Sequence, residues 1–289
     1  MTDTSKYKFN HTMLRVKDPK ASVKFYEHLG MKQVNKFEFP DNNGTENDPN
    51  YKPCNGNKDH GKGFGHVCVS VDNIQAACKR LEDAGYKFQK RLKDGRMHNI
   101  AFALDPDDYW VEIIAQNDVE KSENVTTTDP ATYRMNHTMI RVKDKDASLK
   151  FYQETMGMTF LRSSENKDAG FTLYFLGYGA APESDTSVNG VNPVADREGI
   201  LELTWNYGTE KEEGKVYHDG NSDPQGFGHI CVSVDDLDEA CKRFEQQGVA
   251  WKKRLTDGRM KNVAFILDPD GYWIEVIQNE KFKAAPGKY

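Results

Sequence analysis

An α+β fold of four tandem βαβββ modules, the first short of about two strands, is what this sequence predicts, and three observations carry the prediction. The chain repeats itself: NHTMLRVKD at Asn10 returns as NHTMIRVKD at Asn136, GFGHVCVSVD around His66 as GFGHICVSVD around His229, and DYWVEII around Glu112 as GYWIEVI around Glu275. Within each copy, short alternating apolar runs bracket amphipathic stretches that close on glycine. The offsets also differ, 137 − 11 = 126 for the first pair and 229 − 66 = 275 − 112 = 163 for the others, so the first copy is shorter by 163 − 126 = 37 residues.

The second copy is the complete one. HTMIRV predicts a strand, DASLKFYQETMG a helix closing on Gly157, and TFLRSS, FTLYFLGY and GILELTW three further strands. After a loop rich in Gly, Asp and Asn the order restarts: HICVSV as strand, DLDEACKRFEQQG as a helix ending at Gly248, then VAWKKRL, RMKNVAFILD and YWIEVI as strands. Aligning NNGTE at Asn42 with NYGTE at Asn206 sets the gap of the first copy opposite roughly Asp168 to Trp205, so Glu202 has no first-copy twin. A module without two strands leaves backbone edges that must be distorted or filled, here by the loop NNGTENDPNYKPCNGNKDHGKG. The boundaries expected are a first domain over 1–120, a polar linker over 121–132 and a second domain over 133–289.

Composition removes several classes of partner. A net charge of −6 with interspersed signs gives no nucleic-acid or anionic-membrane surface, and no apolar run approaches the length of a membrane span or a signal core. A soluble, cytoplasmic protein is expected. Its five cysteines include two repeat-related pairs and no C-x-x-C, which fits buried free thiols rather than a disulfide framework.

In YWIEVI, period-2 alternation puts Glu275 on a strand face with Trp273 and Ile277, and the opposite face is apolar too. An ionised carboxylate there is costly unless it is paired or bound to a cation. The same holds for Glu112 in YWVEII and for Glu202 in ILELTW; His66 and His229 head strands behind Gly-Phe-Gly, and His11 and His137 precede T-M-L/I-R-V. Any one of these residues alone reads as structural. Imidazoles and carboxylates together form a donor set suited to Zn²⁺, Ni²⁺, Fe²⁺ or Mn²⁺. Among the basic residues, Arg15 and Arg141 lie on otherwise apolar strands and need anionic partners, such as a substrate carboxylate; Lys62, Lys90 with Arg96, and Lys253 with Arg259 occupy polar settings.

With these residues in place, the chain resembles, over nearly its whole length, the two-domain, single-chain glyoxalase I (lactoylglutathione lyase) family of the vicinal-oxygen-chelate superfamily. N-H-T-M-x-R-V, L-E-L-T-x-N-Y-G-T-E, G-F-G-H-x-C-V-S-V, K-R-L-x-D-G-R-M and L-D-P-D-x-Y-W-x-E carry the resemblance. It implies one complete metal site, His66 and Glu112 with His137 and Glu202, and one incomplete site, His11, His229 and Glu275, whose fourth ligand lay in the missing segment. It implies glutathione contacts from Arg141, Asn206, Lys62, Lys90 and Arg96 at the complete site, with Arg15, Lys253 and Arg259 left at the other. Gln225 stands where the family often has a basic residue, and Trp205 where His or Tyr is common, a change expected to alter the pocket wall.

The implied reaction is isomerisation of the glutathione–methylglyoxal hemithioacetal to S-lactoylglutathione in a monomer, with Zn²⁺ preferred over Ni²⁺ or another divalent metal. Glu112 is expected as principal base, and Glu202 as ligand and possible second base. Two other readings compete: a related metalloenzyme such as an extradiol dioxygenase, which binds iron through two His and one Glu, and a non-catalytic glutathione-binding remnant. The second glutamate, Glu202, argues against the first.

Overall fold

The structure, a computed structural model, describes residues 2–37, 51–95, 97–118, 125–184, 186–189 and 191–282. The first module contributes β1 (Lys8–Leu14) and α1 (Pro19–His28). The second is complete: β2 (Phe64–Val71), α2 (Ile74–Asp83), β3 (Phe88–Lys90), β4 (Ile100–Leu104) and β5 (Trp110–Ala115). The third runs β6 (Arg134–Val142), α3 (Lys145–Lys150), β7 (Thr159–Asn166), β8 (Phe171–Gly177) and β9 (Ile200–Asn206). The fourth runs β10 (Phe227–Val234), α4 (Leu237–Gln246), β11 (Trp251–Lys253), β12 (Val263–Leu267) and β13 (Trp273–Gln278).

The modules pair across the two copies rather than within them. The order β3-β4-β5-β2-β6-β9-β8-β7 forms one eight-stranded sheet from the second and third modules, and β1-β10-β13-β12-β11 forms a five-stranded sheet from the fourth and first. Each half-sheet has the same plan, with a parallel pair (β2 with β5, β6 with β9, β10 with β13) and an antiparallel junction between modules (β2 with β6, β1 with β10). Residues 31–37, where the second strand of the first module would stand, form no strand, and among the described residues β1 is the edge of its sheet. Part of the expected filler loop is present as Cys54, which bridges Gly226 through Cys54 N–H to Gln225 O at 2.8 Å; its stretch at 42–50 lies outside the described residues.

The helices start where the sequence supplies side-chain acceptors, with Asp18, Asn73, Asp144 and Asp236 each accepting first-turn amide hydrogens. The third-module helix departs from expectation. From cap to closing glycine it has 157 − 144 = 13 steps against 30 − 18 = 12 in the first module, and the extra residue is taken up as a π-helical turn over Phe151–Thr155. One continuous core, with Ile113, Val111, Ile140, Leu201, Val232 and Val276 among its members, backs both sheets and includes the helix residues Ile74, Leu81, Leu237 and Phe244. Phe64 and Phe227 stack at 5.0 Å between the two junctions and tie the sheets together.

Candidate metal centre

Period-2 alternation builds the concave face of the eight-stranded sheet. His66 on β2, Glu112 on β5, His137, Met139 and Arg141 on β6, and Glu202, Thr204 and Asn206 on β9 all line one cavity of about 490 Å³. The alternate residues of the same strands, such as Val111, Ile113, Leu201 and Leu203, enter the core. Register then sets depth: Cys68 on β2 faces both His137 and Glu112, and Met139 faces Glu202, so four donors from four adjacent strands reach one level.

They converge on one point. His66 Nε2 lies 3.1 Å from His137 Nε2. His137 Nε2 lies 3.0 Å from Glu112 Oε2 and 2.9 Å from Glu202 Oε2, and His66 Nε2 lies 3.4 and 3.8 Å from the same two oxygens. All four side chains are buried. Burial opposes the Glu112 charge, yet His66 and His137 hold its carboxyl well below the usual range. Burial likewise opposes a charged His137, and the facing Cys68 and Glu202 outweigh it, holding that imidazole well above its ordinary value.

The donor set fits a divalent cation. His137 Nδ1 is engaged by Asn136 Oδ1 at 2.8 Å, which leaves Nε2 as the atom aimed at the convergence point. Two carboxylates would neutralise the charge of such an ion, and two imidazoles with two carboxylates match zinc or nickel preferences.

The five-stranded sheet repeats three of the four donors. His11 Nε2 lies 3.3 Å from His229 Nε2 and 3.1 Å from Glu275 Oε2, and His229 Nε2 lies 3.4 Å from the same oxygen. Burial opposes the Glu275 charge, but His11 and His229 hold its carboxyl low.

The expected anion-binding residues divide into two groups. Arg141, Asn206 and Lys62 line the cavity. The Arg141 guanidinium donates to Gly56 O, Gly63 O and Phe64 O at 3.1 to 3.3 Å and to Asn57 Oδ1 at 2.8 Å; Arg15 repeats this with Gly220, Gly226, Phe227 and Asn221. Lys90 and Lys253 are placed differently: both ammonium groups turn onto loop carbonyls, Met97 O and Ile100 O in one case, Met260 O and Val263 O in the other, all at 2.6 to 2.7 Å. They clamp the loops beside the cups and do not line the cavity. Arg259 is exposed on the loop clamped by Lys253, and Arg96 lies outside the described residues. Trp205 does not form the pocket wall either; alternation turns it off the cup, where its indole N–H donates to Glu210 at 3.1 Å.

Two residues were missed. Asn57, which holds Arg141, lines the cavity, and its Nδ2 donates to Gly65 O at 2.6 Å. Its signal was the recurrence of G-N-x-D at Gly56 and Gly220. Arg162 on β7 also lines the cavity, buried, with its guanidinium 5.3 Å over the Phe175 ring. Counting from the paired glycines Gly30 and Gly157, its counterpart in the first copy is Asn35, so the repeat could not point to it.

A model of the Glyoxalase/Bleomycin resistance protein/Dioxygenase superfamily matches residues 8–113 and 134–276. The chain is 44% identical to the lactoylglutathione lyase of Schizosaccharomyces pombe over 314 aligned positions, covering 96% of this chain and 99% of that protein. It is also 44% identical to glyoxalase I of Saccharomyces cerevisiae, covering 93% and 91%. Among solved structures, glyoxalase I from Zea mays superposes with a TM-score of 0.68 at 23% identity, covering 96% of this chain and 94% of that one, a likeness of fold.

Proposed function

The chain belongs to the Glyoxalase/Bleomycin resistance protein/Dioxygenase superfamily, and from that premise we propose that it is a lactoylglutathione lyase, isomerising the glutathione–methylglyoxal hemithioacetal to S-lactoylglutathione at one centre made by His66, Glu112, His137 and Glu202. The observation that carries the reading is the convergence of two imidazoles and two carboxylates from both copies of the repeat in a chain 44% identical, nearly end to end, to a protein of that name.

The reaction moves a proton between adjacent carbons of the substrate. His66, Glu112, His137 and Glu202 would hold a divalent cation, which would supply charge stabilisation to the substrate oxygens, typically several kcal/mol. Glu112 takes the proton from the hemithioacetal carbon and returns it to its neighbour, acting as base and then as acid. Glu202 is tied by a long hydrogen bond from Thr204 Oγ1, at 3.4 Å, which suits a ligand; it serves as second base for the other substrate enantiomer. Arg141 and Lys62 offer cations to the carboxylates of glutathione, and Asn206 offers an amide whose position is set by its bond to Tyr217 OH at 2.7 Å. Apolar walls, including Phe102, Trp110 and Phe175, keep water from the reacting carbons.

We take zinc as the resident metal, a monomer as the working form, since one chain supplies both halves of the centre, and the cytoplasm as its compartment. No helix among the described residues is long and apolar enough to cross a membrane.

The test is ultraviolet absorbance of the thioester from methylglyoxal and glutathione. Turnover should vanish on chelation and return with Zn²⁺ or Ni²⁺. Turnover that survives chelation, or none with metal supplied, overturns the reading, and metal analysis of the purified protein decides between zinc and nickel.

A further inference from the structure

We propose that Arg162 selects the aldehyde partner of the reaction, favouring α-oxoaldehydes whose chain ends in a carboxylate over those that end in an alkyl group. This deepens the isomerase reading and rests on it.

One cross-strand row recurs in three modules. Lys90 on β3 faces Phe102 on β4, which faces Glu112 on β5; Lys253, Phe265 and Glu275 repeat the row on β11, β12 and β13, and Arg162, Phe175 and Glu202 repeat it on β7, β8 and β9. In the first two rows the cation leaves the cup, drawn to the carbonyls of Met97 and Ile100 or of Met260 and Val263 on the loop that follows its strand. The turn between β7 and β8 is residues 167–170 and stands well beyond Arg162. This guanidinium stays over the cup, lining the cavity at 9% exposure, 5.3 Å from the centre of the Phe175 ring. The aromatic partner differs as well. Phe102 meets Trp110 at 5.5 Å and Phe265 meets Trp273 at 5.8 Å, each tryptophan two residues before its glutamate. Two residues before Glu202 is Ile200, and the Phe175 ring carries the guanidinium instead.

Position assigns the ligand. In the isomerase reading Arg141 and Lys62 serve the carboxylates of glutathione, and Arg141 is on β6, three strand spacings or about 14 Å from β7. Arg162 closes the row of Glu202, two spacings or about 10 Å from β9, a distance that an arginine stem and a short substrate chain span together. The chain that a hemithioacetal inherits from its aldehyde begins at the carbons that Glu112 and Glu202 serve, so it is the part of the substrate that this row meets. The wall contributed by the second module is apolar, with Phe102, Trp110 and Ile114, whereas Ser164 and Asn166 follow Arg162 on the cavity side of β7. A methyl group uses none of these polar side chains. A carboxylate meets a buried guanidinium, whose planar fork and low-dielectric surroundings favour it over an alkyl group of the same shape.

The experiment measures kcat/KM of the metal-loaded full chain, with hemithioacetal as the varied substrate, for methylglyoxal and for two α-oxoaldehydes of one shape. The first has a carboxylate two methylenes beyond the ketone, and the second has an isopropyl group in its place. Wild type should favour the carboxylate, and Arg162→Met should lower the ratio of the two kcat/KM values by about 10- to 100-fold, the range of a charge-assisted hydrogen bond. Arg162→Lys, which keeps the charge without the fork, should retain part of the preference. A residue that only supported Phe175 and His137 would, on replacement, slow both substrates alike, so an unchanged ratio overturns the proposal. Arg162→Gln repeats the comparison if Arg162→Met fails to fold by circular dichroism. Wild type that turns over methylglyoxal without favouring the carboxylate overturns this inference alone, whereas no thioester from any of the three aldehydes overturns the isomerase reading with it.

Discussion

Asn136 decides which nitrogen His137 offers. Its amide donates to Val194 O, Ala195 O and Arg197 O at 2.8 to 3.2 Å, and its oxygen faces His137 Nδ1 at 2.8 Å, so the loop before β9 fixes the imidazole on β6. Asn136→Ala should weaken metal binding by about 10 to 100-fold, measured by competition with a chromophoric chelator, while excess metal restores turnover; unchanged affinity would show that the imidazole is held by packing alone. Glu112→Gln tests chemistry rather than binding. It should lower kcat by about 10² to 10⁴-fold with metal content retained, since that is the usual contribution of a positioned acid–base group. Loss of metal in proportion to activity would make Glu112 only a ligand. The metal-centred residues were legible in the sequence because a carboxylate between apolar residues on a strand must have a partner, and Glu112, Glu202 and Glu275 all met that condition. The placement of Lys90 and Lys253 was not legible for the opposite reason. A lysine in a polar stretch carries no sign of whether its amine will find a ligand or, as here, the carbonyls of its own loop.

At the scale of elements, the recurring G-F-G-H is a packing device as well as a signature. A Cβ on Gly63 would stand 2.1 Å from His218 O, and one on Gly226 1.9 Å from Cys54 O, so backbone meets backbone there. A Cβ on Gly65 would meet instead the sulfur of Met139, the far end of a flexible side chain. Gly63→Ala should therefore cost more stability than Gly65→Ala, with overpacking in the range of about 1 to 3 kcal/mol, and chemical denaturation of the two variants would expose a reversed order. The L-D-P-D turns dock each cup to a helix of the neighbouring module: Asp268 accepts from Asp270 N–H, Tyr272 N–H and the Tyr152 hydroxyl at 2.8 to 3.0 Å. Burial, aided by Asp270, pushes the Asp268 carboxyl up to about 7 from 3.8. As pH rises between those values, the unfolded chain gives up a proton that the folded one keeps, so this group costs progressively more stability, by up to about 1.4 kcal/mol per pH unit. Asp268→Asn should gain on wild type in unfolding free energy across that window and track it above; parallel curves would refute the assignment. Such docking was not legible in the sequence, where Asp-Pro-Asp reads simply as a turn. Nor was the π-helical turn of the third module, although its cause, one residue more between Asp144 and Gly157, was present.

For the whole molecule, the decisive fact is that the modules pair crosswise, second with third and fourth with first, so the deletion in the first module cripples one sheet and leaves the other whole. The repeat revealed the modules but not which would pair, because the same strand sequences could close a sheet within one copy or between two. That ambiguity also supplies a controlled comparison. β1 and β6 share the run NHTM-L/I almost letter for letter, yet β6 lies between β2 and β9 whereas β1 pairs with β10 on one side and, among the described residues, closes the sheet on the other. Intrinsic exchange rates of the two segments are nearly equal, so any difference in amide hydrogen exchange reports context. β6 amides should be protected to near the global unfolding free energy, and those of β1 should exchange through local opening at lower cost. A metal bound at the intact centre adds stabilisation only to states that keep that centre folded, so chelation should lower protection in β2, β5, β6 and β9. Equal protection of the twin strands would mean that the edge of β1 is covered in solution, and the asymmetry argued from strand order would fail.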